Sequence, residues 1–203
     1  MTSIVLAGGR SSRFGYSKTF ETLGGKSLIQ WVIDRLTPLS EEILIVTARR
    51  GDFAYSPSPM IKRVVDIYPG KGPLGGIYSG LATSSCSRAI VVACDMPFLS
   101  IALLGYMAQV SPAFDVVVPR IERMLEPLCA IYSKNCLVPI QRLLERNELR
   151  IRELFAAVRV KYVEEDDIDQ FDSEHLSFLN INTKADLDGA RRLVFLRGLA
   201  DGE

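Results

Sequence analysis

Two adjacent glycines, Gly8 and Gly9, follow directly on an apolar run, and Arg13, Gly15 and Lys18 come soon after in the stretch LAGGRSSRFGYSK, residues 6–18. Adjacent glycines let the backbone turn tightly and bring its N–H groups against an anion. An arginine adds a planar fork for phosphate oxygens, and a lysine adds a compact point charge. The combination suits a triphosphate. Two familiar phosphate loops are excluded by spacing. Gly8, Gly9 and Gly15 do not fit the dinucleotide pattern G-x-G-x-x-G. Gly25-Lys26-Ser27 looks like the end of a Walker loop, but Phe20 stands where its first glycine belongs. The bland alternative is a tight turn with solvated cations. Against it stands position, because the loop leaves the carboxyl end of the first strand, where open α/β sheets bind ligands.

A second chemical signal is Asp95 in VACDMPFL. It is expected at the carboxyl end of another buried strand, on the same rim, with Pro97 fixing the chain as it leaves. Mg²⁺ takes one or two protein carboxylates and fills its remaining positions with phosphate oxygens and water, so Asp95 suits that ion. The competing reading is a turn residue before the proline. Asp66 ends a third strand and opens a segment with glycines at 70, 72, 75, 76 and 80. That segment reads equally as a backbone approach to a base or ribose and as an exposed turn. Cys94 has no histidine near it in sequence and reads as filler rather than nucleophile.

The elements that must hold these residues alternate. Apolar, β-branched runs at 3–7, 43–47, 61–65, 89–93 and 116–118 are expected strands, buried on both faces as in a parallel sheet. Helices are expected over 28–36, capped by Ser27 and stopped by Pro38, over 74–82, and over 101–110 with Ser100 as cap. Further on, 128–132 and 160–163 read as strands, 136–146 and 151–158 as helices, and Thr183 with Asp186 as a capping box opening a helix to about residue 199. The acidic run at 164–169 reads as a solvated loop rather than a metal cage. The expected fold is an α/β three-layer α/β/α sandwich, Rossmann-like, with a mostly parallel sheet, helices on both faces and right-handed crossovers. With no linker or repeat, residues 1–203 read as one domain, binding nucleotide through about 1–120 and acceptor through about 121–203.

Composition bounds the rest. An apolar fraction of 48% across 203 residues is ample for a core. Basic and acidic residues balance at 24 each, so no global field draws the chain to nucleic acid or an anionic membrane. The start, Met1-Thr2-Ser3, leads straight into the first strand without a signal segment, and a cytoplasmic location is expected. Cys86, Cys94, Cys129 and Cys136 form no Cys-x-x-Cys pair and the single histidine, His175, is far from them, so free thiols are expected rather than a zinc or disulfide framework.

LAGGRSSRFGYSK, GPLGGIYSGL, VACDMPFL and FLNINTKADL together resemble the nucleotidyltransferases that activate sugars, isoprenoid precursors and cofactors. The nearest likeness is to the molybdenum cofactor guanylyltransferases, also called molybdopterin-guanine dinucleotide biosynthesis protein A. The resemblance covers nearly the whole chain and is strongest over 3–36 and 64–99. It implies that Leu6, Ala7 and Gly8 meet GTP through the backbone, that Lys18 and Arg13 hold its phosphates, and that Asp66 contacts the nucleotide. It further implies that Asp95 binds GTP and Mg²⁺, that Glu126-Pro127-Leu128 lies on the acceptor side, and that Asn180 and Asn182 belong to a terminal motif. Gly9 favours guanine, since cytidine-transferring relatives resemble Ala-Ala-Gly there. The family asparagine after the second strand is not evident in IVTARRGD, where Thr47 or Ala48 stands.

The implied activity is transfer of GMP from GTP to the terminal phosphate of molybdopterin-bound cofactor, with release of pyrophosphate. Expected partners are GTP, molybdenum cofactor, other cofactor-assembly proteins and recipient apo-enzymes. Rival readings are transfer from CTP to molybdopterin, from GTP to cobinamide phosphate or from an NTP to a sugar phosphate, and a non-catalytic GTP sensor. A scaffold role would need Tyr78 or Phe98 to line an exposed apolar patch.

Overall fold

In the computed structural model, which describes residues 1–7, 22–48 and 58–198, the chain opens with β1 (Thr2–Leu6), β2 (Thr22–Leu23), β3 (Lys26–Ser27), α1 (Leu28–Leu36), β4 (Glu42–Thr47) and β5 (Ile61–Val65). It continues through α2 (Gly72–Thr83), β6 (Arg88–Ala93), α3 (Ile101–Val110), β7 (Val116–Ile121), β8 (Met124–Leu125) and β9 (Cys129–Ser133). The last elements are α4 (Leu137–Glu145), α5 (Ile151–Leu154), β10 (Val160–Glu164), α6 (Glu165–Asp172) and α7 (Lys184–Leu196).

The apolar runs line up as one sheet in the order β10-β7-β9-β6-β1-β4-β5, with β8 paired to β7. β6, β1, β4 and β5 are mutually parallel, as are β7 and β10, and β9 runs antiparallel between β6 and β7. Because side chains alternate along a strand, each strand feeds two cores. Val5, Ile43, Ile45, Ile90, Val92 and Ile131 face α1, α3 and α6; Ile4, Leu44, Val91, Val118 and Tyr132 face α2 and α4. Burying each such side chain contributes roughly 1.5–3 kcal/mol, which is why these strands read as continuous rather than alternating. α7 closes a third cluster, laying Leu187, Ala190 and Val194 on Leu23, Trp31 and Phe98. The layers are those expected of a three-layer, Rossmann-like sandwich.

The local signals operate as read. Ser27 caps α1, Ser100 caps α3, and Thr183 with Asp186 forms the box that opens α7. Three differences stand out, with one explanation of an excluded motif. The acidic run is not a loop: Glu165, Asp166 and Asp167 occupy the first turn of α6, where carboxylates complement the helix dipole. The segment 151–158 is one α-turn followed by a 3-10 turn, Phe155–Ala157, and not a continuous helix. Gly24 and Gly25, both at positive φ, form the two-residue turn of the β2–β3 hairpin, which accounts for the false Walker ending. Finally, the crossovers do not share one hand. α1 and α3 cover the same face, yet β1–α1–β4 and β6–α3–β7 advance in opposite directions across the sheet, so a uniformly right-handed set is excluded.

Candidate active site

Those opposed crossovers create the crevice that matters. The chain leaves β1 toward β4 on one side and leaves β6 toward β7 on the other, so the carboxyl ends of the adjacent strands β1 and β6 form a topological switch point. Ligands of open α/β sheets bind at such places. Cross-links fix the rim: the Cys94 N–H donates to the Leu6 carbonyl at 3.2 Å and the Ala7 N–H to the Val46 carbonyl at 2.9 Å.

Asp95 sits on this rim, half-buried, one residue past that link. Its carbonyl accepts from the Ile181 N–H at 2.9 Å, which brings the terminal motif alongside. Asn180, half-buried, donates from Nδ2 to the Phe178 carbonyl at 3.1 Å, and Asn182 is exposed, its N–H bonded to the Asp186 carboxylate at 2.9 Å. These backbone bonds bring Leu6, Ala7, Asp95 and the segment 180–182 to one rim of the sheet. Gly8, Gly9, Arg13 and Lys18 lie outside the described residues.

Asp66 stands apart, past the end of edge strand β5. The strands between it and Asp95 set a separation of roughly 14 Å at about 4.8 Å per strand. Its Oδ1 accepts from the Ser79 hydroxyl at 2.7 Å and the Tyr68 N–H at 3.0 Å, and Ser79 Oγ in turn accepts from the Ile67 N–H at 2.8 Å. Asp66, Thr47, Ala48, Leu6, Gly72 and Gly76 line a shallow depression at the start of α2. The glycine segment therefore answers to neither reading offered for it alone. Most of it is helix, and Gly76 and Gly80 let α2 lie on β1: a Cβ at 76 would come within 3.0 Å of the Leu6 side chain, and one at 80 within 2.6 Å of Ile4. Residues 68–71 form a turn closed by the Lys71 N–H to the Tyr68 carbonyl at 3.1 Å.

On the other flank, Glu126-Pro127-Leu128 bridges β8 and β9. The Leu128 carbonyl accepts from the Ala93 N–H at 3.1 Å, placing the segment against the end of β6. Glu126 is half-buried, and burial raises its carboxyl above the usual range. Beyond it, Arg120 of β7 makes a bidentate pair with Glu164 of β10, at 2.9 and 2.5 Å, and stacks over Tyr162 with its guanidinium carbon 4.6 Å from the ring centre. The β7–β8 turn carries Glu122 and Arg123 at φ 48° and 76°. Turns of this kind favour Asn-Gly, and side-chain-bearing residues there cost about 1–3 kcal/mol each.

No disulfide joins the cysteines, Cys129 and Cys136 being buried and Cys86 and Cys94 partly so. Burial pushes the Cys136 thiol up to about 12, and Cys129 higher still, so neither ionises at neutral pH. Phe98 is buried against Trp31 in the third core and lines no exposed patch, while Tyr78 is half-buried edge-on to Tyr68. Sequence reasoning missed Ser79, whose signal was a polar residue on the apolar side of a helix. It also missed the Arg120, Tyr162 and Glu164 cluster, which no linear spacing announces because a parallel ladder assembles it.

A family model described as the MobA-like NTP transferase domain matches residues 3–163. The chain belongs to this family. The match runs from β1 to β10, so α6, α7 and the Asn180–Asn182 segment follow it in the chain. A probable molybdenum cofactor guanylyltransferase of Pelotomaculum thermopropionicum is 36% identical over 94% of this chain and 91% of its own length. A molybdenum cofactor guanylyltransferase of Desulfosudis oleivorans is 34% identical over 96% of each. Among solved structures, molybdopterin-guanine dinucleotide biosynthesis protein A of Archaeoglobus fulgidus superposes with a TM-score of 0.80 at 26% identity, over 97% of this chain and 100% of that one. The fold, at a TM-score of 0.68 and 16% identity, extends to 2-C-methyl-D-erythritol 4-phosphate cytidylyltransferase of Thermus thermophilus.

Proposed function

We propose that this chain transfers GMP from GTP to the terminal phosphate of molybdopterin-bound molybdenum cofactor, giving the guanine dinucleotide form and pyrophosphate. Kinship with proteins named for that activity supports the chemistry. The observation that carries it here is the convergence of β1, β6 and the 180–182 segment on one crevice, through Cys94 to Leu6 and Ile181 to Asp95. The chain works as one domain, its sheet unbroken from β5 to β10.

In this reading the nucleoside lies over the carboxyl ends of β1, β4 and β5 against Asp66, and the phosphates lie over the switch point. The Gly8-Gly9 amides, Arg13 and Lys18 absorb negative charge there. Asp95 fits a divalent ion, and Mg²⁺ in particular, because it offers a hard carboxylate oxygen where phosphate oxygens would complete the coordination. Bound there, the ion would neutralise phosphate charge. The acceptor phosphate attacks the α-phosphorus, a new P–O bond forms, the bond to the β-phosphate breaks, and pyrophosphate leaves. The attacking phosphate is already anionic, so no general base is required. Catalysis is positioning and charge neutralisation.

The test is pyrophosphate release with Mg²⁺, each nucleoside triphosphate, and molybdopterin, cobinamide phosphate or sugar phosphates as acceptors. Turnover with GTP and molybdopterin is expected. Turnover with CTP but not GTP, or with another acceptor only, overturns the reading.

A further inference from the structure

We propose that the cleft beyond β9, lined by Arg120, Glu122, Arg123, Leu125, Tyr162 and Glu164, seats the ring of the acceptor, a flat heterocycle of the pterin class with N–H and carbonyl edges. The choice of ring rests on the guanylyl-transfer reading; the place rests on the cleft itself.

Position comes first. The cleft lies at the carboxyl ends of β7 and β10, two and three strands from Asp95, or roughly 10–14 Å at about 4.8 Å per strand. It mirrors the Asp66 depression, with the switch point between them. A phosphorylated ring seated in it spans that interval, bringing its phosphate to the crevice. Size agrees, since the open cleft of about 690 Å³ falls in the range of small-molecule sites.

Chemistry selects the ligand. With Glu165, the lining holds two arginines and three glutamates, a near balance that disfavours an isolated phosphate and suits a neutral polar ring. Glu164 occupies Nε and one terminal nitrogen of Arg120, and Tyr162 supports the guanidinium from one side, so Arg120 presents a braced planar surface. A flat ring stacks on such a surface. Glutamate carboxylates accept from an aminopyrimidine N–H edge, and Arg123 donates to a ring carbonyl. The left-handed residues Glu122 and Arg123 are held over this cleft, where the Glu165 carboxylate accepts from the Glu122 N–H at 3.4 Å.

The experiment follows quenching of the intrinsic fluorescence of 6-hydroxymethylpterin by the full chain, with binding of a fluorescent GTP analogue measured in parallel. Saturable pterin binding, weakened about tenfold in Tyr162→Leu and in Arg123→Ala with GTP-analogue affinity unchanged, is the expected result. No saturable binding to the wild type, or wild-type affinity in both variants, overturns the proposal. Arg123 is exposed, so its variant reports even where Tyr162→Leu fails to fold. The two readings separate cleanly. Pterin binding through these residues without GMP transfer sinks the function and keeps the subsite, whereas transfer with an unchanged acceptor KM in both variants sinks the subsite and keeps the function.

Discussion

Asp95 and Asp66 share a side chain and differ in what their surroundings let them do. Asp95 lies at the switch point beside the terminal motif, whereas Asp66 is held in place by Ser79 and the Tyr68 amide on the far side of β4. Asp95→Asn, which keeps the shape and removes the charge, is expected to cut metal-dependent pyrophosphate release about 10²–10³-fold while GTP binding largely persists. Stopped-time pyrophosphate assays beside equilibrium GTP binding read this out, and full activity in the variant would remove Asp95 from the mechanism. Ser79→Ala strips a donor from Asp66 and leaves the Ile67 N–H unpaired. A loss of about 1–3 kcal/mol in urea unfolding is expected, together with a raised KM for GTP. At this scale the sequence was legible for position, as with Asp95, expected at the carboxyl end of a buried strand and found just past the end of β6. It was illegible where a cluster is assembled by a neighbour across the sheet: Arg120 meets Glu164 forty-four residues on, and nothing along the chain couples them.

The glycines of α2 show how an element can be recognised and its purpose misread. A run with glycines at 72, 75, 76 and 80 is a poor helix former by propensity, yet the helix forms because close contact with β1 rewards the missing side chains. Gly80→Ala drives a methyl to within 2.6 Å of Ile4 and is expected to destabilise the fold by about 1–3 kcal/mol despite its better helix propensity. Gly105→Ala in α3 meets nothing within 4 Å and is expected to stabilise by about 0.5–1 kcal/mol. Urea midpoints of the two variants should move in opposite directions; a shared direction would refute the close-packing account. Most strand positions were readable because burial on both faces leaves continuous apolar runs; β5 departs from that expectation, since at the sheet edge it exposes Lys62, Arg63 and Val65 and buries Val64 alone of its five residues. α6 was not, because its charged first turn imitates a solvated loop and only Ile168 is fully buried along it.

Across the whole molecule, the proposed site and the most strongly bonded carboxylates occupy opposite rims of the sheet. At the amino ends, Glu42 accepts from the Ser85 N–H and hydroxyl, the Thr2 hydroxyl and Lys62. Burial alone would raise its carboxyl, but these bonds prevail and hold it at about 2, below the usual 4.5. Asp115, gripped mainly by Arg159 against the cost of burial and helped by Asn135, is also held low. Both groups therefore add stability that is complete above their unfolded values and is lost as pH falls toward the folded ones. Glu42→Gln is expected to lower stability at pH 7 by about 3 kcal/mol, the size of its shift. It should also flatten the decline between pH 4.5 and 2, measured by urea unfolding across that range. Asp115 would supply the decline that remains, and an unchanged pH profile would show that Glu42 is not the acid-sensitive group. The antiparallel strand β9 has a further consequence. In the sheet's hydrogen-bonded order, among the described residues, the four parallel strands β6, β1, β4 and β5 are joined to the parallel pair β7 and β10 through it, across the ladder from Arg88–Ser133 to Val92–Cys129. A seam of five residue pairs therefore carries the backbone pairing between the proposed nucleotide flank and the proposed acceptor flank, and a change in register there would reposition one flank against the other while leaving the parallel ladders on either side as they are.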